Sequence, residues 1–127
     1  MAGLTSFQSS FLELSEEQGV TVALLTKPQL TEDENLEKFD EDLNTLVETL
    51  QVRRLVINLE RLNYFTSSAL GRLIALHRRI QRAGGRLVLC SAGDDIRQIF
   101  QTARLWDYFH MANSVSEAVS MLTQPQE

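Results

Sequence analysis

The chain of 127 residues has little of several residue types, and each scarcity excludes a class of protein. One cysteine, Cys90, excludes an internal disulfide and suits a reducing compartment such as the cytoplasm. Two prolines and six glycines are too few for a fibrous or low-complexity chain. No apolar run approaches the ~20 residues of a membrane-spanning helix. The first ten residues lack a basic start and an apolar segment, so we expect neither a secretory signal nor membrane insertion.

Residues that commonly bind metals or catalyse reactions are also scarce. His77 and His110 lie in different predicted elements without neighbours at metal-ligand spacing, and we interpret both as packed structural histidines. Cys90 ends an apolar run and is typical of a small core residue. The chain has no glycine-rich phosphate loop and no Gly-x-Ser-x-Gly elbow. We therefore expect no metal, no cofactor and no enzymatic activity.

Charge is distributed unevenly along the chain, whose formal net charge is −5. Residues 1–50 contain eleven Asp and Glu against two lysines, whereas residues 51–127 contain ten arginines against six Asp and Glu. An acidic total predicts no direct binding to nucleic acid. This uneven distribution of charge has two explanations that stay open. The charged residues form solvated helix faces, or the arginines form a face that attracts an acidic partner. The residues of that face are Arg72, Arg78, Arg79 and Arg82.

The first half of the chain predicts a hairpin followed by a helix. Phe11–Leu14 and Val20–Leu25 are β-prone runs, and the residues between them supply a glycine for a turn. Thr31 and Glu34 have the spacing of a capping box, which predicts that a helix begins there with Thr31 as its N-cap. Apolar residues then recur at helical spacing, namely Leu36, Phe39, Leu43, Leu46, Val47 and Leu50.

The second half alternates strands and helices. The predicted elements are a buried strand Arg54–Leu59, a helix 67–83, a strand Arg86–Cys90, a helix opened by Ser91–Asp94, a strand Tyr108–Met111 and a helix capped by Ser114. This order predicts a single α/β domain over residues 1–127, with about four helices. Its sheet should be mainly parallel, with one antiparallel strand at the N-terminus. We expect residues 1–9 and 123–127 to be frayed.

Three hydroxyl residues, Thr66, Ser67 and Ser68, open the longest predicted helix. Because a helix N-terminus has unpaired N–H groups and a positive dipole end, it stabilises a phosphoryl group placed there. The same residues are also preferred as N-caps without any modification. The pattern alone therefore allows either a capped helix or a phosphorylation site.

The sequence around this helix start resembles the STAS family of bacterial anti-sigma factor antagonists. The resemblance rests on Asn58-Leu59-Glu60, Tyr64-Phe65 and Thr66-Ser67-Ser68-Ala69-Leu70-Gly71, and it extends from Phe11 to Leu122. It implies a sequential β/α superhelix with one antiparallel strand. The chain has Thr66 where the family usually has Asp, Ala69 where it usually has Gly, and Lys27-Pro28-Gln29-Leu30 where it often has Gly-Glu-Leu-Asp.

The resemblance also implies a function and a site. In the family, the first serine of the pair is phosphorylated, which corresponds to Ser67, with Ser68 and Thr66 as alternatives. The partner would be a cytoplasmic anti-sigma factor that is also a serine kinase, and phosphorylation would release it. The implied contact residues are Lys27, Gln29, Thr66, Ser67, Ser68, Ala69 and Arg72. An alternative is a non-phosphorylated scaffold, or a soluble subunit of a signalling assembly or membrane transporter, and the protein is expected to be a monomer or weak dimer.

Overall fold

A computed structural model describes residues 7–33 and 35–124 of the protein. These residues form a five-stranded sheet with helices on both faces. The main strands are β1 (Leu12–Glu17), β2 (Val20–Leu25), β4 (Arg54–Asn58), β6 (Arg86–Cys90) and β7 (His110–Ala112). Their order is β1-β2-β4-β6-β7, in which only β1 is antiparallel to its neighbour. The predicted α/β fold with one antiparallel N-terminal strand is confirmed.

Within the described residues, four α-helices cover the sheet, as the sequence predicts: α1 (Leu36–Asn44), α2 (Ser67–Arg82), α3 (Asp94–Thr102) and α4 (Val115–Thr123). A π-helical turn, Thr45–Thr49, extends α1. Residues of α1, α2 and α3 share one core cluster, while α4 packs with Val56 and Val88 in a second cluster. Because β4 and β6 are covered on both faces, these strands are almost continuously apolar.

The N-terminal hairpin closes through a two-residue turn. Gln18 and Gly19 both have positive φ angles, 54° and 80°. A turn of this kind matches the twist of the flanking strands and requires residues that tolerate positive φ. The predicted hairpin is therefore confirmed, and β1 runs to Glu17, which pairs with Val20.

The start of α1 corrects the predicted capping box. The N-cap is Asn35, whose Oδ1 accepts a hydrogen bond from the Lys38 backbone N–H at 3.1 Å. Thr31 instead follows a short strand, and its Oγ1 accepts from the Asp33 N–H at 3.3 Å. Residues 32 and 33 form a turn, so the helix begins later, at Leu36. Glu34 lies outside the described residues.

Two short strands form a second sheet that periodicity did not predict. They are β3 (Gln29–Leu30) and β5 (Tyr64–Phe65), which pair in parallel. Each has two residues, too few to produce an alternating pattern. Their pairing joins the segment after β2 to the segment before α2.

The histidines and Cys90 have different environments. His77 is buried with ring centroids 5.0 Å from Tyr108 and 5.2 Å from Phe109, so its interpretation as a packed histidine is confirmed. Cys90 is also buried, as expected of a core residue. His110 is exposed, and its interpretation as packed is wrong, because it lies on the edge strand β7.

Parts of the ends that we expected to be frayed are described. The Ser9 hydroxyl donates to Asp42 Oδ2 and accepts from the backbone N–H groups of Phe11 and Leu12. At the other end, Thr123 is the last residue of α4, and its hydroxyl donates to the Ser120 carbonyl at 3.2 Å. Residues 1–6 and 125–127 lie outside the described residues.

Candidate functional site at the start of helix α2

Thr66 is the residue that caps α2. Its backbone is extended, with φ −90° and ψ 171°, and its Oγ1 accepts from the Ala69 N–H at 3.4 Å. Its carbonyl accepts the first helical bond, from Leu70 N at 2.9 Å. The N-cap interpretation therefore applies to Thr66, so the two serines that follow are not needed for that role.

Ser67 and Ser68 are both exposed in the first turn of α2. Ala69 is fully buried, so its methyl group faces the core and cannot belong to a contact surface. The prediction that Ala69 contacts the partner is therefore wrong, because its side chain is buried. Because the Ala69 methyl group points inward, its presence where the family usually has glycine does not obstruct the approach of a partner to Ser67.

The segment of residues 27–30, which contains the implied contact residues Lys27 and Gln29, lies beside the start of α2. The Pro28 carbonyl accepts from Asn63 N at 2.7 Å, and the Leu30 carbonyl accepts from Thr66 N at 3.0 Å. Gln29 is exposed, whereas Lys27 is half-buried with its ammonium 5.6 Å from the centre of the Phe11 ring. The β3–β5 pairing thus brings together two segments of the predicted site that are more than thirty residues apart in the chain.

An open groove of about 650 Å³ runs between the start of α2 and the outer side of α3. Ser67 lies on one wall, and the exposed ring of Tyr64 stands at the rim. The lining combines apolar residues with two carboxylates, and the described residues that form it include no lysine or arginine. They are Glu32, Tyr64, Phe65, Thr66, Ser67, Leu70, Asp95, Gln98, Ile99, Thr102 and Ala103.

Glu32 is a site residue that sequence reasoning missed. Hydrogen bonds from the Ser68 hydroxyl, and then from the Thr66 hydroxyl, lower the pKa of the Glu32 carboxyl below its ordinary value. This acid lies in the turn after β3, between the two residues of the predicted capping box, and no sequence pattern distinguishes it. The structure thus supplies a carboxylate beside the hydroxyl residues, although position 66 itself is threonine.

The arginines of α2 do not form one continuous solvated face. Arg72 is half-buried, and its Nη1 lies 3.8 Å from Asp40 Oδ2 of α1. Arg79 is also half-buried and has one Nη1 atom shielded from solvent, whereas Arg78 and Arg82 are exposed. Arg72 belongs to a pocket next to the groove, together with Glu32, so it remains a neighbour of the predicted site.

Two further properties concern the part of the chain that the structure describes. Within residues 7–33 and 35–124, no group of three or more His, Cys, Asp or Glu side chains could hold a metal ion. No helix in these ranges combines the length and the apolar character needed to cross a bilayer.

Comparison with known protein families assigns this fold and the hydroxyl-rich start of α2 to one family. The family model described as STAS domain matches residues 13–118, and the chain therefore belongs to the STAS domain family. This finding confirms the family that the residues around Ser67 indicate.

Individual relatives agree with this assignment. A protein of Bordetella bronchiseptica named as a candidate anti-sigma factor antagonist, BtrV, is 29% identical over 68% of this chain and 73% of its own. A candidate anti-sigma factor antagonist from Thermotoga maritima has a TM-score of 0.78 at 16% identity, over 91% of this chain and 97% of its own. The Bacillus cell fate determinant SpoIIAA in its phosphorylated form has a TM-score of 0.64 at 22% identity, over 87% and 97%.

Proposed function

We propose that this protein is an anti-sigma factor antagonist that binds an anti-sigma factor with serine kinase activity and is released when Ser67 is phosphorylated. The observation that supports this most is the position of Ser67, which is exposed at the start of α2 and on the wall of the groove. The names of BtrV and of phosphorylated SpoIIAA favour the same role. The protein would act in the cytoplasm as a ligand and a substrate.

The proposed contact surface has Ser67 near its centre. It combines the exposed Ser68 and Gln29 with the rim residue Tyr64 and the half-buried Lys27. Exposed aromatic side chains are typical of the residues that contribute most to protein–protein binding. Arg72 would belong to the edge of the surface, because it is tied to Asp40.

The proposed transfer step needs no catalytic group from this chain. The Ser67 Oγ attacks the γ-phosphorus of ATP bound to the partner, a new O–P bond forms, and the bond to the ADP leaving group breaks. The hydroxyl proton passes to a base of the partner. The α2 dipole then stabilises the phosphate within this protein.

Release follows from the charge of the product. A phosphoserine adds about −1.5 to −2 charges at neutral pH. The groove wall already contains the carboxylates of Glu32 and Asp95, so the phosphate would increase an existing negative field. A partner surface packed against this wall would have to remove water from the phosphate, and a cost of ~2.7 kcal/mol weakens binding about a hundredfold.

Substitution of Ser67 tests the proposal. Ser67→Ala should bind the partner like the wild type but incorporate no phosphate, and Ser67→Asp should fold normally and bind about a hundredfold more weakly. Ser116→Ala is the matched control, because Ser116 is exposed in the first turn of α4. Binding is measured by calorimetry with the co-purified partner, and phosphate by mass spectrometry.

Two results would contradict this function. Equal phosphate incorporation into the wild type and Ser67→Ala would exclude Ser67 as the acceptor. A co-purified partner that binds no ATP, such as a transporter or a scaffold of a signalling assembly, would favour the non-phosphorylated alternative.

A further inference from the structure

A small pocket lies at the C-terminal end of α3, where the chain turns towards β7. Its volume is about 320 Å³, and its lining consists of Gln101, Arg104, Trp106 and Asp107. Trp106 is half-buried, and the other three lining residues are exposed. The volume is at the lower end of the range for ligand sites, so this Trp106 pocket fits a short peptide segment better than a large cofactor.

The Trp106 pocket is separate from the groove beside Ser67. Arg97 lies one helical turn before Gln101, and therefore on the same side of α3 as the pocket. The groove is lined by another set of α3 residues, and no residue lines both cavities: the set is Asp95, Gln98, Ile99 and Thr102. The helix α3 thus stands between two distinct surfaces.

Two neighbours hold the indole ring of Trp106 in place. The Arg97 guanidinium carbon lies 4.6 Å from the ring centre, within the range of an attractive cation–π contact. The ring of Phe100, which is fully buried, meets the indole edge-to-face at a centroid distance of 6.4 Å. A ring that is already held loses little conformational freedom when a ligand contacts it.

Arg97 and Arg104 give this side of α3 a positive charge. Within residues 7–33 and 35–124, neither arginine forms an ion pair. Arg104 has a φ of +60° and ends α3 in the left-handed conformation, where glycine is the usual residue. The backbone therefore does not require an arginine at this position. Asp107 is the one carboxylate of the lining, so the positive charge exceeds the negative charge.

We propose that the Trp106 pocket is a second docking site, which binds an acidic segment of a partner protein. Tryptophan and arginine are enriched among the residues that dominate protein–protein binding. The two arginines attract carboxylates, and the indole ring contacts an apolar side chain between them. The groove beside Ser67 contains the carboxylates of Glu32 and Asp95, so it repels the same segment.

The fluorescence of Trp106 tests this site directly, because the chain has no other tryptophan. The full-length protein is titrated with a short blocked peptide of alternating Glu and Leu, and with the same peptide carrying Gln in place of Glu. We expect a saturable change with the Glu peptide and an affinity about fivefold or more weaker for the Gln peptide. Raising the salt concentration from about 50 to about 500 mM should weaken the binding of the Glu peptide.

Three variants locate the binding on the surface. Arg104→Gln should weaken the binding of the Glu peptide about twofold to fivefold, whereas Asp107→Asn should strengthen it about twofold, because a like charge is removed. Arg82→Gln is the matched control, since Arg82 is exposed at the end of α2 and its loss should leave the affinity unchanged. Dissociation constants are compared rather than signal amplitudes, because a substitution near the indole ring changes its emission.

The docking site would be overturned by the absence of a saturable change, by equal affinity for the two peptides, or by equal affinity of Arg104→Gln and the wild type. Displacement of the Glu peptide by a single-stranded oligonucleotide that binds more tightly would also overturn it, because the pocket would then recognise nucleic acid. The titration uses neither a kinase nor ATP, so its failure leaves the proposed function untouched. A wild type without phosphate on Ser67 would likewise leave this docking site untouched.

Discussion

At the scale of single residues, Thr66 and Ser67 differ although they are neighbours at one helix start. Thr66 caps the helix through its side chain, whereas the side chain of Ser67 is exposed to solvent. His77, in contrast to Ser67, is a polar residue that is buried. It packs among aromatic rings, and its Nδ1 has no hydrogen-bond partner among the described residues.

The environment of His77 predicts a pH-dependent stability. Burial, and then the neighbouring His110, lower the pKa of His77 below 6.5, so protonation occurs more readily in the unfolded chain. The unfolded state therefore binds more protons, and the free energy of unfolding falls as the pH drops through the ordinary histidine range. Denaturant titrations between pH 7.5 and 5 should show this loss, and His77→Phe should show less of it. An equal slope in both proteins would contradict the interpretation.

At the scale of elements, close packing governs the connection between α2 and β6. Gly84 has a φ of +86° and ends the helix in the left-handed conformation. Gly85 lies close to the residue that precedes β4, because a Cβ atom at position 85 would stand 2.5 Å from the Arg53 carbonyl oxygen and 2.9 Å from Ile80 Cγ1. The backbone of Arg53 is therefore the main obstacle to any side chain at residue 85.

Gly85→Ala should lower the free energy of unfolding by about 1–3 kcal/mol, because the backbone must shift to admit a methyl group. Gly71→Ala is the matched control. Gly71 lies within α2 with open space around it, so alanine there should raise stability by roughly 0.5–1 kcal/mol. Urea unfolding of the two variants measures both effects. If Gly85→Ala left the free energy of unfolding unchanged, the connection between α2 and β6 would be able to relax without a loss of stability.

At the scale of the whole molecule, the two charge halves of the sequence contribute different strands to the sheet. The acidic first half contributes β1 and β2 at one edge, and the arginine-rich second half contributes β4, β6 and β7. One contact between the halves is the pair of Arg72 and Asp40. The core of the second half depends on Phe100, whose ring lies 5.4 Å from Phe65 and 5.5 Å from Phe109.

Phe100→Ala should lower the free energy of unfolding by about 3–5 kcal/mol, because it leaves a cavity where α3, β5 and the segment before β7 meet. Phe100→Leu keeps most of the apolar volume and should lose clearly less. Thermal and denaturant unfolding of the two variants measure the difference. Equal losses would mean that ring contacts, rather than filled volume, set the stability of this junction.

The sequence by itself determined the main fold of this protein. The apolar runs of β4 and β6, the helical spacing of α2 and the glycine of the hairpin are local signals, and each produced the expected element. The hydroxyl start of α2 was equally visible, because a helix N-terminus is specified by adjacent residues.

Only the tertiary structure decided the surroundings of Ser67. β3 and β5 are too short for their periodicity to predict them, and their pairing joins residues 35 positions apart in the chain. That long-range contact brings Glu32 to the groove wall with Thr66 and Ser67, and the turn after β3 delays the start of α1 to Leu36. Local periodicity describes which side of an element is apolar, whereas the neighbours of an element depend on how distant segments pack.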